Sequence, residues 1–307
     1  MNSAAASAAG QASGEPRCRP TDAVRTAMVL THRRPQETRP AIERLLEVAR
    51  EAGAVLILDA QESAKHTLSP AEGLELEATA RPDVDICFAL GGDGTILTAL
   101  RLYAGTGVPV FAVNFGEVGF LATVEREEAA AGFEAAFRGD FEVLSLPAIA
   151  VSDSRPQSLA INDVSIHRQP GMRVADLAYA IGADEVGRVR CDGLVVATPA
   201  GSTGYNLANA GPILAWGVEG FAVSFIAPHS LTARSLVVAP GDALSIFNRS
   251  QEEAVDITVD ARPAGTLAPG ENVQLRFLHD QGALAQVPGA TFYHRLREKF
   301  GRLAAPL

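Results

Sequence analysis

The stretch VDICFALGGDGT, residues 84–95, decides the fold that we expect for this chain. Residues 84–90 form an apolar run with the length of a buried β-strand, and the run ends directly in the glycine-rich segment 91–95. Other segments complete an alternating pattern, with strands at 24–31, 54–58 and 108–113 and helices at 38–52 and 95–104. A polar, proline-containing stretch at 60–82 carries no predicted element. Strands that alternate with helices predict a parallel sheet covered on both faces.

The chain changes character near residue 124, after which one helix is predicted at 125–138. Short apolar runs separated by turn residues then follow at 141–151, 159–167, 174–181, 186–190, 194–198, 221–226, 235–239, 243–247, 255–260 and 272–278. Short strands at this density are typical of an antiparallel β domain, and the amphipathic segment 291–303 predicts a final helix. We therefore predict a disordered tail at 1–23, an α/β domain at 24–123 and a β-rich domain at 124–289.

The composition of the chain argues against one class of partner, nucleic acids. The 307 residues carry 26 Lys and Arg against 36 Asp and Glu, which gives a formal charge of −10. A general nucleic-acid binder needs a basic face, so we expect no nucleic-acid partner. An acidic chain can still bind an anionic small ligand, because backbone N–H groups hold phosphate without a net positive charge.

No segment indicates a membrane span or an export signal. No run approaches the roughly 18–20 apolar residues of a span, and residues 1–22 lack the apolar core of a signal peptide. The three cysteines are scattered, with neither metal-ligand spacing nor a disulfide framework. We expect a cytoplasmic protein without a membrane partner.

The turn at 91–95 has the composition of a phosphate-binding loop. Its glycines let a phosphate approach backbone N–H groups, and the N-terminus of the following helix adds a favourable dipole. Asp93 lies between glycines, where a carboxylate takes the proton of a hydroxyl or helps to hold Mg²⁺. Both roles belong to phosphoryl transfer. The alternative is a tight turn in which Asp93 caps the next helix.

Two common nucleotide-binding motifs are absent from the sequence. The chain has no Gly-x-x-x-x-Gly-Lys-Ser/Thr and no Gly-x-Gly-x-x-Gly. If the chain binds a dinucleotide, it uses a different route from that of the Rossmann hydride-transfer enzymes.

Three further segments are candidates for ligand contact. Residues 114–121 follow a predicted strand, and Phe120 there is either a core residue or a wall against a base. Asn162 and Asp163 interrupt an apolar strand, either as a bend or to bind an adenine edge and ribose hydroxyls. His229 stands alone, which is more typical of a structural histidine.

The segment 190–208 is the richest in chemistry. Its strand at 194–198 is stopped by Pro199, and small and hydroxyl residues follow up to Tyr205. Small residues leave room for a flat ligand, hydroxyls pair with its polar edges, and Tyr205 can stack on it. The order of residues 200–204 is not Gly-x-Ser-x-Gly, so no hydrolase nucleophile is indicated. A plain turn is the alternative.

These motifs, in this order, resemble those of the NAD kinases. The resemblance is carried by GGDGT at 91–95, GFL at 119–121, ND at 162–163, the run from 192 through TPAGSTGY at 198–205, and PHSL at 228–231. It covers roughly residues 24–303. Loops similar to GGDGT also occur in lipid kinases and 6-phosphofructokinases, whereas the run at 198–205 is more specific.

The resemblance implies an α/β N-terminal domain with a parallel sheet, of the NAD kinase and diacylglycerol kinase type, followed by a β-rich C-terminal domain. The final helix, at 290–307, is implied to pack back on the first domain. The implied activity is phosphorylation of the adenosine-ribose 2′-hydroxyl of NAD to give NADP, with ATP or polyphosphate as donor and with Mg²⁺. A homodimer or homotetramer is implied as well.

The resemblance also assigns roles to residues. Asp93 matches the catalytic aspartate that takes the 2′-hydroxyl proton, Gly94 lies along phosphate, and Asn162 binds adenine. Asp192 is implied to reach the nicotinamide ribose of a neighbouring subunit. The other implied NAD- or nucleotide-binding residues are Gly92, Thr95, Phe120, Asp163, Arg173, Arg190, Ser202, Thr203, Gly204, Tyr205, Asn206, Leu207, Ala208, His229 and Arg262. No side chain is assigned as a metal ligand.

The chain departs from the family pattern at three places. Asp163 stands where Glu is usual, Gly204 stands where Ala is usual, and the sequence DAR at 260–262 replaces Asp-Gly-Gln or Asp-Gly-Arg. None of these changes touches Asp93. Two other functions stay open: a lipid or sugar kinase that shares only the GGDGT loop, and a non-catalytic regulator that binds NAD.

Overall fold

The computed structural model describes residues 17–18, 23–116, 119–152 and 158–301. Strands interspersed with helices make up the chain to residue 125. In chain order they are β1 Arg17–Cys18, β2 Thr26–Thr31, α1 Pro35–Ala52, β3 Val55–Ile57, α2 Ala60–His66, β4 Leu74–Glu75, β5 Ile86–Gly91, α3 Asp93–Leu102, β6 Val110–Asn114 and β7 Val124–Glu125.

The strands from β2 to β7 form a parallel sheet. Their spatial order is β4-β3-β2-β5-β6, with β7 on β6. Every residue of β5 and β6 is buried, as expected for central strands covered on both faces. Gly91 lies opposite Asn114 in the register, so β5 and β6 end at the same edge. The loops that follow these two strands therefore lie side by side.

Strands dominate the rest of the chain. The elements are a 3-10 turn Arg126–Glu128, α4 Ala129–Phe137, β8 Glu142–Ser152, β9 Ser158–Ala160, β10 Asp163–Arg168, β11 Ala175–Ile181, β12 Asp184–Cys191, β13 Gly193–Ala197, a 3-10 turn Gly201–Thr203, α5 Tyr205–Ala208, β14 Phe221–Ile226, β15 Leu236–Val238, β16 Leu244–Asn248, β17 Val255–Val259, β18 Arg262–Leu267, β19 Asn272–Gln286 and α6 Phe292–Phe300.

These later strands build a second sheet and also extend the first. The second sheet is antiparallel and has the order β15-β14-β13-β10-β17-β18. β19 pairs in parallel with β6 at Leu284 and antiparallel with β8 and β16. This pairing joins the antiparallel strands to the parallel ones in one 13-stranded sheet. The predicted fold class, an α/β part followed by a β-rich part, is confirmed.

Three apolar clusters form the core. One lies under α1 and α4 and includes Leu45 and Phe133, and a second lies under α3 and includes Leu100. The second cluster extends to Trp216 and to Phe292 of α6. The third fills the space between the two sheets of the β-rich part. Among the described helices, none combines the length and apolarity needed to cross a membrane.

The structure differs from the sequence prediction at 60–82, where α2 and β4 form. Asp59 caps α2, because its side chain accepts a hydrogen bond from Glu62 N at 2.8 Å. The helix after the glycine-rich loop also begins earlier than predicted, at Asp93 instead of residue 95. The glycine-rich loop is therefore only one residue long.

Two strands in the β-rich part also differ from their predictions. β18 was not predicted, and β19 extends to Gln286, well beyond the predicted end at 278. The register of β19 shifts between Leu278 and Gly282, where three polar residues interrupt its apolar pattern. A pattern of period two is lost at such a bulge, which explains the early predicted end.

The predicted N-terminal tail lies almost wholly outside the described residues. Within it, the two residues of β1 pair antiparallel with Leu144 and Val143 of β8. Residues 302–307, the end of the predicted terminal helix, also lie outside the described residues. The division of the chain near residue 124 stays a prediction.

Candidate active site

The glycine-rich loop joins β5 to α3 by the shortest route. β5 ends at Gly91, Gly92 is the N-cap of α3, and Asp93 is the first helical residue. The N–H groups of Thr95 and Ile96 donate to the carbonyl oxygen of Gly92, at 2.9 and 3.2 Å. Asp93 therefore lies at the positive end of the α3 dipole.

Backbone N–H groups of the loop that follows β6 contact the Asp93 carboxylate. Phe120 N donates to Oδ2 at 3.4 Å, and Leu121 N donates to Oδ1 at 3.3 Å. The two loops also meet through their backbones, since a Cβ atom on Gly116 would lie 2.9 Å from the Cα of Gly92. The carboxylate is thus held in place and keeps acceptor capacity for a ligand hydroxyl.

A cleft of about 870 Å³ is lined by Gly92, Gly94 and Thr95 of this loop and helix. The Lys, Arg, Asp and Glu side chains that line it are Arg33, Lys65, Arg101 and Arg262, with Asp59 and Glu62. Four cations against two carboxylates leave the cleft positive, although the whole chain carries a charge of −10. A positive cleft of this kind attracts anionic ligands.

Two of these cations are positioned by neighbouring groups. Lys65 Nζ lies 2.6 Å from Glu62 Oε1 and 3.1 Å from the carbonyl oxygen of Thr31. Arg262 Nη2 donates to Thr98 Oγ1 at 3.2 Å. The ion pair of Lys65 is mostly buried, and its geometry fixes the ammonium group at the wall of the cleft.

Asp260 connects the cleft to the start of β10. Its side chain is fully buried and accepts hydrogen bonds from Asn162 N at 2.8 Å and Asp163 N at 3.1 Å. Arg101 of α3 donates to the same carboxylate at 3.3 Å. Asp260 has a φ of 46° and Ala261 a φ of 61°, so a tight left-handed turn presents the carboxylate. The helix after the glycine-rich loop is thereby tied to the 162–163 segment.

Asn162 and Asp163 both have features that are typical of functional positions. Asn162 Oδ1 is buried and has no hydrogen-bond partner among the described residues. Burial, together with the nearby negative charge of Asp260, raises the pKa of Asp163 to about 7. Buried polar groups without a partner are rare, and perturbed carboxylates cluster at functional sites.

The loop after β13 packs tightly on Asn162. Thr198 Oγ1 donates to Ile161 O at 2.6 Å and accepts from Gly201 N at 3.1 Å. A Cβ atom on Gly201 would collide with the backbone of Asn162, so only glycine fits there. This glycine brings the loop into direct contact with the 162–163 segment.

Ser202 and Asn206 hold this loop together from inside. Both are fully buried. Ser202 Oγ donates to Pro199 O at 2.7 Å and accepts from Leu214 N at 2.9 Å. Asn206 Nδ2 donates to the carbonyl oxygens of Ser202 and Pro212. These side chains serve the loop itself, and their predicted contact with NAD stays a prediction.

The accessible part of the same loop lies at Thr203, Gly204, Tyr205, Leu207 and Ala208, which are exposed or half-buried. Burial is the main cause that raises the pKa of Tyr205, and the charges of Asp163 and Asp192 raise it further. Tyr205 therefore lies near two predicted site carboxylates. These five residues are accessible to a ligand, and their contact with NAD stays a prediction.

Tyr205 stacks on His167, a residue for which the sequence predicted no role. The ring centroids are 5.7 Å apart and the planes differ by 20°. His167 Nε2 lies 2.7 Å from Ser165 Oγ, which lies 2.6 Å from Thr258 Oγ1. Burial lowers the pKa of His167, which keeps the ring neutral near pH 7. His167 covers one face of Tyr205.

Arg190 at the end of β12, Asp192 directly after that strand and His229 in the loop after β14 lie in one region. His229 N donates to Arg190 O at 2.7 Å, and both side chains belong to exposed residues. The Asp192 carboxylate pairs with Arg168 Nε at 2.6 Å. Arg173 lies on the turn between β10 and β11, where it faces Glu253 at 3.8 Å and is 80% exposed. Binding roles for these residues stay predictions.

Phe120 was predicted either as a core residue or as a wall against a base, and its ring lies in the core, while its predicted contact with nucleotide stays a prediction. Its ring is buried against Trp216 and Phe292, with centroids 5.9 and 5.8 Å away. Phe120 reaches the site through its N–H group, which contacts Asp93.

Lys65, Glu62 and Asp260 are functional candidates that the sequence reasoning missed. Asp59 followed by Glu62 is a helix-capping signal, and it would have placed Glu62 and Lys65 on one helix face. Asp260 has no local signal, because its partners Asn162 and Asp163 are almost a hundred residues away.

Comparisons with known proteins agree with this geometry. Residues 28–141 match the ATP-NAD kinase N-terminal domain, and residues 161–281 match the ATP-NAD kinase C-terminal domain. The NAD kinase of Symbiobacterium thermophilum is 34% identical over 262 residues, which cover 84% of this chain and 92% of that protein. The NAD kinase of Gemmatimonas aurantiaca is 33% identical over 224 residues, which cover 71% of this chain and 78% of that protein.

Solved structures share the fold. Yeast NADH kinase in complex with NADH superposes with a TM-score of 0.81 at 22% identity, covering 94% of this chain and 90% of that chain. An NAD kinase from Archaeoglobus fulgidus in complex with ATP gives a TM-score of 0.67 at 23% identity, covering 90% of this chain and 97% of that chain. Together with the two domain matches and the curated relatives, these findings show that the chain belongs to the NAD kinase family.

Proposed function

We propose that this protein transfers the terminal phosphoryl group of ATP to the adenosine-ribose 2′-hydroxyl of NAD, giving NADP and ADP. The observation that carries the proposal is the placement of Asp93, a carboxylate held by two backbone N–H groups at the N-terminus of α3, where that helix meets a positive cleft. Family membership supports the same activity.

The chemical step needs one general base and groups that stabilise the negative charge of the phosphates. Asp93 accepts the proton of the 2′-hydroxyl while that oxygen bonds to the terminal phosphorus, and the bond from phosphorus to the bridging oxygen breaks. ADP leaves with the bridging oxygen and its electron pair. The backbone fixes the Asp93 carboxylate before substrate arrives, so little reorganisation is needed in the step.

The cleft suits the phosphate chain of the donor. Gly94 is exposed and a Cβ atom there would meet nothing within 4 Å, so the protein itself does not require glycine at this position. A phosphate that approaches the loop amides does require it. Lys65 and Arg262 then neutralise phosphate charge from the walls of the cleft. The same features accept ATP or polyphosphate, and we favour ATP because the matched domains are those of ATP-NAD kinases.

Mg²⁺ fits the side chains at this site. It is usually held by one or two carboxylates together with substrate phosphates. Asp93, beside the glycine-rich loop, keeps acceptor capacity for this purpose, and Asp59 lines the cleft next to that loop. When bound, the ion would neutralise charge on the donor phosphates.

The 162–163 segment and the loop after β13 suit the adenosine half of NAD. The unpartnered Asn162 Oδ1 can accept from the adenine amino group, and Asp163 can accept from a ribose hydroxyl. The free face of Tyr205 offers a stacking surface for a flat ring.

We further propose that the protein is cytoplasmic and forms a homodimer or homotetramer, in which Asp192 reaches the NAD of a neighbouring subunit. We also propose that the boundary between its two domains lies near residue 124.

The test measures NADP directly. Purified protein is incubated with NAD, Mg²⁺ and either ATP or polyphosphate, and NADP is read with an NADP-specific dehydrogenase. Asp93→Asn is expected to lower kcat about 10²–10⁴-fold while NAD binding by calorimetry is retained. Asp83→Asn, which alters a 74% exposed carboxylate, is the matched control and is expected to keep wild-type turnover.

The outcomes separate the candidate functions. Wild-type protein that makes no NADP with either donor would refute the proposed activity. NAD binding without turnover would point to a non-catalytic regulator, and turnover of a lipid or sugar alone would point to the other kinase class. A fully active Asp93→Asn variant would remove Asp93 from the mechanism.

A further inference from the structure

The last helix of the described chain, α6, reaches the loop that holds Asp93. Arg295 Nη1 donates to the carbonyl oxygen of Phe120 at 3.1 Å and also to that of Ala122. Arg295 Nη2 donates to Gln286 Oε1 at 2.9 Å. One guanidinium group thus binds both sides of Leu121, and the N–H groups of Phe120 and Leu121 are the ones that contact the Asp93 carboxylate.

The same guanidinium also contacts the second loop of the site. Its Cζ atom lies 5.5 Å from the ring centroid of Trp216. Trp216 follows Leu214, whose N–H and carbonyl groups both bond to Ser202 Oγ. Arg295 therefore contacts the 120–122 segment, which orients the Asp93 carboxylate. It also contacts Trp216, next to the residues that bond to the loop after β13.

Packing around Phe120 supports this contact. The Phe120 ring lies among Trp216, Phe292 and Phe300, at centroid distances of 5.9, 5.8 and 5.8 Å. The apolar contacts place α6 against the loop, and the guanidinium supplies directional bonds to its carbonyl groups. Aromatic contacts alone do not fix the direction of a peptide N–H group, whereas a guanidinium that donates to the carbonyl groups on both sides of Leu121 does.

A second contact from α6 acts on the same region. Lys299 Nζ lies 2.5 Å from Glu125 Oε1, and Glu125 Oε2 accepts from Asn114 Nδ2 at 2.8 Å. Asn114 Oδ1 accepts from Gly116 N at 2.9 Å, and Gly116 meets Gly92 backbone to backbone. The helix is thus connected to both sides of the glycine-rich loop.

We propose that Arg295 is a positioning residue for the phosphoryl-transfer step: it fixes the 120–122 backbone and, through it, the orientation of the Asp93 carboxylate. The inference rests on the proposed function of Asp93. It predicts that loss of the guanidinium lowers kcat, because misplacing a reacting group by about 1 Å costs up to about 100-fold. It leaves the KM for NAD nearly unchanged, because the guanidinium donates to Phe120, Ala122 and Gln286, which are not among the residues of the cleft lining or of the 162–163 segment.

The experiment uses the full chain with Arg295→Met and Arg295→Lys, and Arg297→Met as control, since Arg297 is an exposed arginine on the same helix. Expected results are a fall in kcat of about 10–100-fold for Arg295→Met and a smaller fall for Arg295→Lys, with KM for NAD within about threefold of wild type. Arg297→Met is expected to behave as wild type. If Arg295→Met does not fold, the kcat of Arg295→Lys decides whether Arg295 is a positioning residue.

A double-mutant cycle separates positioning from a general structural effect. If Arg295 acts through Asp93, Arg295→Met added to Asp93→Asn lowers the residual rate no further. An equal further fall, an unchanged kcat in both single variants, or parallel losses in kcat and KM would each overturn the inference. A wild-type protein without NADP formation would instead refute the proposed function, so the two failures are distinguishable.

Discussion

Two glycine-containing segments build the site, the loop after β13 and the start of α3, and glycine has a different purpose in each. In the loop after β13, a Cβ atom on Gly201 would collide with the backbone of Asn162. At the second residue of α3, a Cβ atom on Gly94 would meet nothing within 4 Å, and the φ of Gly94 is not positive. The first glycine is required by the fold, whereas the second is left unexplained by the protein alone.

This difference distinguishes structural glycines from ligand-binding ones. Gly91 belongs to the structural kind, because a Cβ atom there would collide with the side chain of Thr95. Gly94 lines the positive cleft, so the space beside it is available to a phosphate. The same substitution, glycine to alanine, should therefore impair folding at Gly201, weaken ligand binding at Gly94 and have little effect at Gly204.

The largest effect is expected for Gly201→Ala. The added methyl group must displace the backbone of Asn162, and overpacking of this kind costs about 3 kcal/mol of the free energy of unfolding. We expect a Tm lower by roughly 5–10 °C, together with loss of NAD binding. Thermal denaturation and calorimetry check this. A variant with wild-type Tm would show that the contact between the two segments is not required.

A smaller and different effect is expected for Gly94→Ala. The fold should be unaffected, because the methyl group has space and alanine favours a helix. The KM for ATP should rise about tenfold, which corresponds to about 1.4 kcal/mol of lost binding. Steady-state kinetics with varied ATP measure it.

Gly241→Ala is the matched control for Gly94→Ala. Gly241 also has no atom within 4 Å of the added Cβ and no positive φ, but it lies on a turn outside the residues that line the cleft. We expect wild-type kinetics and Tm. An unchanged KM for ATP in Gly94→Ala would contradict the assignment of this glycine to phosphate.

The sequence predicted features that depend on neighbouring residues. An apolar run ending in glycines identified β5 and the loop with Asp93, and the hydroxyl-rich run identified the loop after β13. Asp260 could not be found in this way, because a left-handed turn brings it to Asn162 across almost a hundred residues. Phe120 stayed ambiguous for the same reason, since only tertiary packing decides whether an aromatic ring faces the core.

A third prediction concerns Asp163, which lies beside the segment that Gly201 contacts. Its pKa is about 7 in the folded protein, because of burial and of Asp260, against about 3.9 for an unfolded chain. Its protonated form favours the folded state, so this contribution to stability is full below about pH 4 and is lost as the pH rises through about 7. Asp163→Asn cannot ionise and escapes this loss.

We therefore expect Asp163→Asn to exceed the wild type in Tm by a margin that grows from about pH 4 to about pH 7 and is constant above. Thermal denaturation across that range measures it. Asp184→Asn, at the exposed first residue of β12, is the control and should give a margin near zero throughout. A margin for Asp163→Asn that shrinks as the pH rises would contradict the raised pKa.

The smallest effect is expected for Gly204→Ala, three residues beyond the glycine that cannot be replaced. Gly204 is exposed, its φ is −96°, and an added Cβ atom would lie 3.4 Å from the carbonyl oxygen of Gly201, an ordinary contact. We expect the free energy of unfolding to change by about 0.5 kcal/mol or less. The KM for NAD should stay within about threefold of wild type, because alanine is the residue usual in the family at this position. A fall in Tm as large as that of Gly201→Ala would show that the whole loop resists added volume. The contrast between a glycine fixed by its neighbour and one left open would then not hold within this loop.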